Sequence, residues 1–221
     1  TGGATNFENL FGTAGAETLT GDGNTNALAG LGGLDTIYGL AGDDHLSAYF
    51  DTSSEPSGCG TSSMANDASN DKLYGGAGDD TLCGSTGDNT LDGGTGKDTI
   101  TSFAGSDTIV IRSGDGSTDI ANADILTDFT DVSDVIGMTD LTFDDLTIAQ
   151  GSGDYASHTL VSLTSTGEYL LILQNTSVSN VTVVDFVLNT SIAQTLSGNS
   201  SNNTLIGGLG GDTISTGAGT D

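Results

Sequence analysis

Acidic residues return at a spacing of nine through much of this 221-residue chain, each followed two places later by an aliphatic residue. The acid position reads Glu8, Glu17, Asn26, Asp35 and Asp44 in a first block and Asp71, Asp80, Asn89, Asp98 and Asp107 in a second. A third fragment holds Asn203, Asp212 and Asp221. The aliphatic position reads Leu10, Leu19, Leu28, Ile37 and Leu46, then Leu73, Leu82, Leu91, Ile100 and Ile109, then Leu205 and Ile214. Glycine fills much of the stretch before the acid, so that 30–47 and 75–101 read as G-G-x-G-x-D-x-U-x, with U aliphatic. Glycine permits a tight turn with positive φ and turns several carbonyl oxygens toward one point. Carbonyls and carboxylates together suit a hard cation such as Ca²⁺, which takes 6–8 oxygens in irregular geometry. Zinc would want histidine and cysteine, and the chain has only two of each, His45, His158, Cys59 and Cys83.

The elements that position these groups follow from the same period. Positions 7 to 9 form a short strand whose central aliphatic side chain points inward while its flanks point out. Two nonapeptides make one coil, so turns n and n+2 stack on the same side. The expected fold is all-β, a parallel β-roll. With the coil kept in register, the acid positions pair as Glu17/Asp35, Asn26/Asp44, Asp35/Asp71, Asp44/Asp80, Asp71/Asn89, Asp80/Asp98 and Asn89/Asp107, with about seven ions bridging them. The carbonyl candidates, at positions 1 and 3, are Gly30, Gly32, Gly39, Ala41, Gly75, Ala77, Gly84, Thr86, Gly93 and Thr95.

These repeats resemble the repeats-in-toxin family, the calcium β-roll of proteins exported by type I secretion in Gram-negative bacteria. The resemblance covers about residues 6–114 and 197–221. It implies side-chain ligands at Asp35, Asp44, Asp71, Asp80, Asp98, Asp107, Asp212 and Asp221, with Asn26, Asn89 and Asn203 as neutral substitutes. Glu17 is longer than the family prefers, which implies a weak first coil.

Three regions are expected: roll blocks over 1–114, a β-rich capping unit over 115–196 and a second, truncated roll over 197–221. Residues 48–69 interrupt the first. Asp44 and Asp71 lie three periods apart, but a coiled path would bury Glu55 at position 8 without a partner, which is costly. An extruded loop is the better reading. Cys59 lies within it and Cys83 at an outward position 9, so a disulfide would pin the loop to the roll; two free thiols are an equal alternative. Beyond Asp115, ADILTDFT (123–130), LTFDDLTIA (141–149), HTLVSLTS (158–165), EYLLILQN (168–175) and VTVVDFVLN (181–189) read as strands. The order resembles the β-rich unit that often follows such repeats, with Asp128 and Phe129 ahead of Asp134 to Ile136. Such a unit can bury the open end of a roll.

Thirty Asp and Glu against three basic residues, Lys72, Lys97 and Arg112, give a formal charge of −27. That balance opposes partnership with nucleic acid or an anionic membrane surface. No stretch approaches the ~20 apolar residues of a membrane span. The first and last residues read as cut or processed boundaries of something longer. Catalysis finds no support either. The adjacent acids Asp43/Asp44, Asp79/Asp80 and Asp144/Asp145 read as metal-loop or surface residues. His45 and His158 read as exposed polar residues, and neither an H-E-x-x-H nor a G-x-S-x-G motif occurs. A row of threonines at position 7 (Thr18, Thr36, Thr81, Thr90, Thr99, Thr108, Thr204, Thr213) reads as exposed strand surface. Ala27, His45 and Lys72 interrupt it, against an ordered-water or ice-binding face.

Two functions fit. The first is a calcium-dependent structural module of a surface layer, adhesin or extracellular filament, folding on calcium after export and able to associate end to end. The alternative is the C-terminal folding and secretion module of an exported hydrolase such as a protease or lipase.

Overall fold

The computed structural model describes residues 9–49, 59, 67–188, 195–197 and 213–215. The strands of the repeats are short, three to six residues, and each starts at position 7 of its nonapeptide. Alternate nonapeptides build two sheets. One takes β1 (Asn9–Phe11), β3 (Ala27–Ala29), β5 (His45–Ser47), β7 (Thr81–Ser85) and β9 (Thr99–Phe103). The other takes β2 (Thr18–Thr20), β4 (Thr36–Ala41), β6 (Lys72–Ala77), β8 (Thr90–Thr95) and β10 (Thr108–Arg112). All these pairings are parallel.

The register sets position 8 on position 8: Leu28 on Leu46, Leu46 on Leu82, Ile37 on Leu73, Leu73 on Leu91. Leu19, Leu28, Ile37, Leu46, Leu73, Leu82, Leu91, Ile100 and Ile109 are buried in one cluster between the sheets. Each such side chain contributes roughly 1.5–3 kcal/mol on burial. The inward assignment of position 8 is therefore met at every repeat from Leu19 to Ile109 outside the interruption, and Leu10 is half-buried against the cluster.

The pairing passes straight across the interruption. Thr36 of β4 lies beside Lys72 of β6 and His45 of β5 beside Thr81 of β7, so the strands on either side of 48–69 pair directly with each other. Ala48 still belongs to the coil, its N–H donating to the Cys83 carbonyl. The coil resumes by Asp67, whose carbonyl accepts from Thr86 N–H.

The ladder also outlasts the period. β11 (Asp124–Leu126) pairs parallel with β9, and β12 (Val135–Thr139) with β10. The first sheet then continues through β15 (Tyr169–Leu173), β14 (Thr159–Leu163) and β13 (Leu146–Gln150), the last three an antiparallel meander. The second ends on β16 (Phe186–Leu188), parallel to β12. Leu126, Ile136, Leu171, Leu173 and Phe186 join the same core cluster as the repeat leucines. A separate pair, β17 (Thr195–Ser197) and β18 (Thr213–Ser215), runs parallel with Leu196 on Ile214.

Two of the expected strands begin later than their composition suggests. Phe143–Asp145 and Val183–Asp185 are single 3₁₀ turns ahead of β13 and β16. Each is closed by a T-x-x-D pair: Asp145 accepts from the N–H of Thr142 at 2.8 Å, and Asp185 from that of Thr182 at 2.6 Å. This local side-chain bonding offers the backbone an alternative to the sheet.

Candidate metal centre

The acid position stands at the last step of each turn, just before the strand. From there its carboxylate has two distinct tasks. One oxygen, Oδ1, accepts the N–H of the acid-position residue one coil earlier. The rungs are Glu17 to Asp35 (2.8 Å), Asn26 to Asp44 (2.7 Å), Asp35 to Asp71 (2.8 Å), Asp44 to Asp80 (2.7 Å), Asp71 to Asn89 (3.0 Å), Asp80 to Asp98 (2.8 Å) and Asn89 to Asp107 (2.8 Å). These are the pairs that the period predicts with the 48–69 segment left out of the coil.

The other oxygen, Oδ2, is without any hydrogen-bond partner, and without solvent, in Asp35, Asp44, Asp71, Asp80, Asp98 and Asp107. Six buried carboxylates each presenting a bare oxygen would be prohibitive if nothing positive were meant to meet it. Among the described residues only Arg112 forms ion pairs, with Asp92 and Asp115, so the basic side chains do not meet that need. Burial pushes Asp80 and Asp124 up to about 8, Asp71, Asp98 and Asp107 to about 7, and Asp44 to about 6, from an ordinary 3.8. Asp35 and Asp134 are raised for the same reason.

Position 1 explains where the bare oxygen lies. A Cβ built on Gly30, Gly39, Gly75 or Gly93 would fall far inside contact distance of Oδ2 of Asp35, Asp44, Asp80 or Asp98, the acid of the same repeat. Glycine is needed there so that the carboxylate can fold over its own turn. Gly84 is looser: a Cβ there would meet the Ser102 carbonyl at 2.6 Å and Asn89 Nδ2 at 3.2 Å. At position 3 the Ala77 and Thr95 carbonyls accept from Gly42 and Gly78 N–H, leaving a second lone pair on each. Carboxylate, carbonyl and a closed turn make an all-oxygen donor set that suits Ca²⁺. Gly32, Ala41 and Thr86 occupy the corresponding steps of their turns.

Asn89 departs from the pattern as a neutral residue should. Its Nδ2 donates to the Gly87 carbonyl at 2.8 Å and to Asp107 Oδ1 at 3.2 Å, filling space that a carboxylate would leave for a cation. Glu17 and Asn26 depart in another way. The Glu17 carboxylate turns back to accept from Thr13 N–H at 3.0 Å, and the Thr13 hydroxyl holds its pKa below the usual range. Asn26 Oδ1 accepts from Asp22 N–H within its own turn. Asn203, Asp212 and Asp221 lie outside the described residues.

Two members of the ladders lie beyond the continuous run of repeats, Asp124 one residue out of phase with it and Asp134 three whole periods after Asp107. Asp98 N–H donates to Asp124 Oδ1 at 2.9 Å, and Asp107 N–H to Asp134 Oδ1 at 3.2 Å. Both lie more than one coil length along the chain, because the connections ahead of them are longer than a nonapeptide. The acid-x-aliphatic triplets Asp124-Ile125-Leu126 and Asp134-Val135-Ile136 were the available signal. His45, expected at the surface, is instead only 9% exposed, and Ser47 and Cys83 of the same outer face are 1% and 0% exposed. Cys59 is fastened to that face by its disulfide to Cys83, and the Ser47 hydroxyl donates to the Tyr49 carbonyl. Burial accordingly lowers the His45 pKa. His158 accepts the Asn175 N–H on Nδ1 at the end of the meander. No helix among the described residues is long and apolar enough to cross a membrane.

Comparison with known proteins gives the following. Of solved structures, an extracellular lipase from Serratia marcescens is similar at 16% identity and a TM-score of 0.41, over 84% of this chain and 40% of the lipase chain. The chain thus spans well under half of that protein. A subunit from the Azotobacter vinelandii mannuronan C5-epimerase is similar at 20% identity and a TM-score of 0.29, over 80% of each chain. No curated protein matches the sequence. The model of the RTX calcium-binding nonapeptide repeat matches four times, at residues 11–46, 67–91, 84–117 and 190–221, more than half of the sequence. With its repeats stacked into two acid-lined parallel ladders, the chain belongs to the RTX calcium-binding nonapeptide repeat family.

Proposed function

We propose that this chain is a calcium-dependent, non-catalytic structural module of a secreted or cell-surface protein, part of a surface layer, adhesin or extracellular filament. One observation carries the reading: six buried aspartates, stacked by their Oδ1 atoms, each hold a bare Oδ2 with no basic side chain to meet it. Calcium at these positions, with Asp35, Asp44, Asp71, Asp80, Asp98 and Asp107 and the turn carbonyls as ligands, supplies the missing counter-charge. Where calcium is scarce, as inside a cell, the same carboxylates repel and hold the chain open. Millimolar calcium outside then folds it after export. Extracellular sites of Kd near 10⁻⁴–10⁻³ M are adequate for this, since each independent site at about 100 Kd adds roughly 2.7 kcal/mol.

Circular dichroism in EDTA and then in millimolar calcium tests the reading, together with a count of bound ions. The expected outcome is an unfolded spectrum that becomes β-rich on adding calcium, with several ions bound. A native β spectrum that survives thorough chelation at neutral pH would refute it.

In the same reading, the chain either associates end to end with a second copy when calcium is bound or stays monomeric. Light scattering with and without calcium, on this chain and on one truncated at Ala193, separates these cases. Calcium-dependent growth in mass, lost on truncation, marks association between copies; monomers throughout exclude it.

A further inference from the structure

The inserted segment leaves and rejoins the coil at a defined place. Ala48 fills position 1 of its turn: it accepts the Leu31 N–H and donates to the Cys83 carbonyl. Among the described residues the coil continues at Asp67, at position 2, followed by Ala68, Ser69, Asn70 and then Asp71 at position 6. The bonding fixes this assignment. Thr86 N–H donates to the Asp67 carbonyl as Ala41 N–H donates to that of Asp22, position 3 to position 2 of the coil before. The Thr86 hydroxyl reinforces it at 2.6 Å, and Asp88 N–H reaches Asn70 Oδ1 at 2.9 Å.

Corresponding turns on this edge carry Leu31, Ser85 and Phe103 at position 2. Here the residue is an aspartate, only 3% exposed. Its Oδ1 accepts from Ser69 N–H at 3.0 Å, and its Oδ2 has no partner and no solvent. Asp22, the position-2 aspartate on the opposite edge, differs: it is half-buried, and its Oδ1 is engaged by the main-chain and side-chain nitrogens of Asn24. Asp67 stands beside the Asp35–Asp71 rung, where both neighbours also hold a bare, buried Oδ2. Its charge is near enough to raise the pKa of each.

We propose that Asp67 is an additional metal ligand, by which the inserted segment brings a third carboxylate to the Asp35–Asp71 position. This rests on the calcium reading above. No three described acidic, histidine or cysteine side chains yet stand at coordination distance from a common point. An ion bound there therefore draws Asp67 inward and docks this end of the insertion, while the Cys59–Cys83 disulfide holds the segment farther along. Greater ligand charge raises calcium affinity, so this site fills first.

The test is calorimetric titration of calcium into the full chain and into Asp67→Asn, with exposed Asp154→Asn as the control. The wild type and Asp154→Asn are expected to show one site at least tenfold tighter than the rest, which Asp67→Asn loses while keeping the others. Identical isotherms for the two variants would overturn the proposal and leave the calcium reading intact. Absence of calcium binding to the wild type would overturn both. Should Asp67→Asn fail to fold, Eu³⁺ excitation spectra of the wild type decide, because the band position reports ligand charge. The first equivalent must enter a site of higher carboxylate count than later ones; a single uniform band for all equivalents refutes the proposal.

Discussion

Protons should be able to replace calcium. Asp71, Asp98 and Asp107 sit at about 7 in the folded roll and Asp80 and Asp124 at about 8, because burial disfavours their charged form. Each pKa unit is about 1.4 kcal/mol, so moving an aspartate from 3.8 to about 7 makes ionisation in place cost about 4 kcal/mol. Half that value over these five residues still approaches 10 kcal/mol, the scale of a whole domain's stability. The sign follows from linkage. A folded-state pKa above the unfolded one gives stability that is complete below about 3.8 and lost as pH rises through 7 to 8. Metal-free chain is therefore expected to be unfolded at pH 8 and to gain β structure as pH falls, fully by pH 3. Far-UV circular dichroism after exhaustive removal of calcium measures this, stepping past pH 4.1, where the net charge vanishes and precipitation intrudes. With calcium present the dependence reverses: protons compete for the same oxygens, so the calcium midpoint rises between pH 7.5 and 5.5. A metal-free chain as disordered at pH 3 as at pH 8, or a calcium midpoint that ignores pH, would refute the argument that carboxylate burial is what calcium relieves.

Three further outcomes are expected. Leu82→Asp should abolish calcium-induced folding, since it buries an unpaired charge at several kcal/mol, whereas Thr81→Asp on the outer face should shift the calcium midpoint only slightly; equal midpoints would reverse the inside–outside assignment. Leu40 is 50% exposed and held at φ +86°, where the aligned coil residue is Gly76 at +118°. Leu40→Gly should accordingly raise the melting temperature in saturating calcium, by about 1 kcal/mol of relieved left-handed strain, and a lower melting temperature would show that its side chain matters more. Asp124→Ala should weaken calcium binding and loosen the β9–β11 junction in hydrogen exchange, whereas exposed Asp154→Ala should do neither; indistinguishable variants would remove Asp124 from the ladder.

Legibility in the sequence followed periodicity. Inward leucines and stacked acids could be read because both repeat at nine, and Asp35 finds Asp71 across the insertion because the gap is a whole number of periods. Asp124 was hidden because a longer connection sets it one residue out of phase with Asp98, whereas Asp134 lies three whole periods after Asp107 and was masked only by the two missing repeats between them, although both acid-x-aliphatic triplets are intact. Asp67 was hidden for a related reason: its meaning depends on where the insertion rejoins the turn, which no spacing specifies. His45 shows a third limit, since alternation tells which face a side chain occupies and not whether that face is later covered. The T-x-x-D turns at Thr142 and Thr182 were legible in principle but outweighed by the β-forming residues around them.

The rungs point one way. In each, the earlier coil gives an amide proton and the later coil receives it, so the acid ladder is a polymer with a head and a tail. At the two earliest described rungs Glu17 and Asn26 turn a side-chain oxygen to the N–H of Thr13 and of Asp22, inside their own turns. Direction and length of side chain therefore act together: a carboxylate one methylene longer folds back on its own turn, and only an aspartate at residue 17 would hold an acceptor out along the ladder as the later coils do.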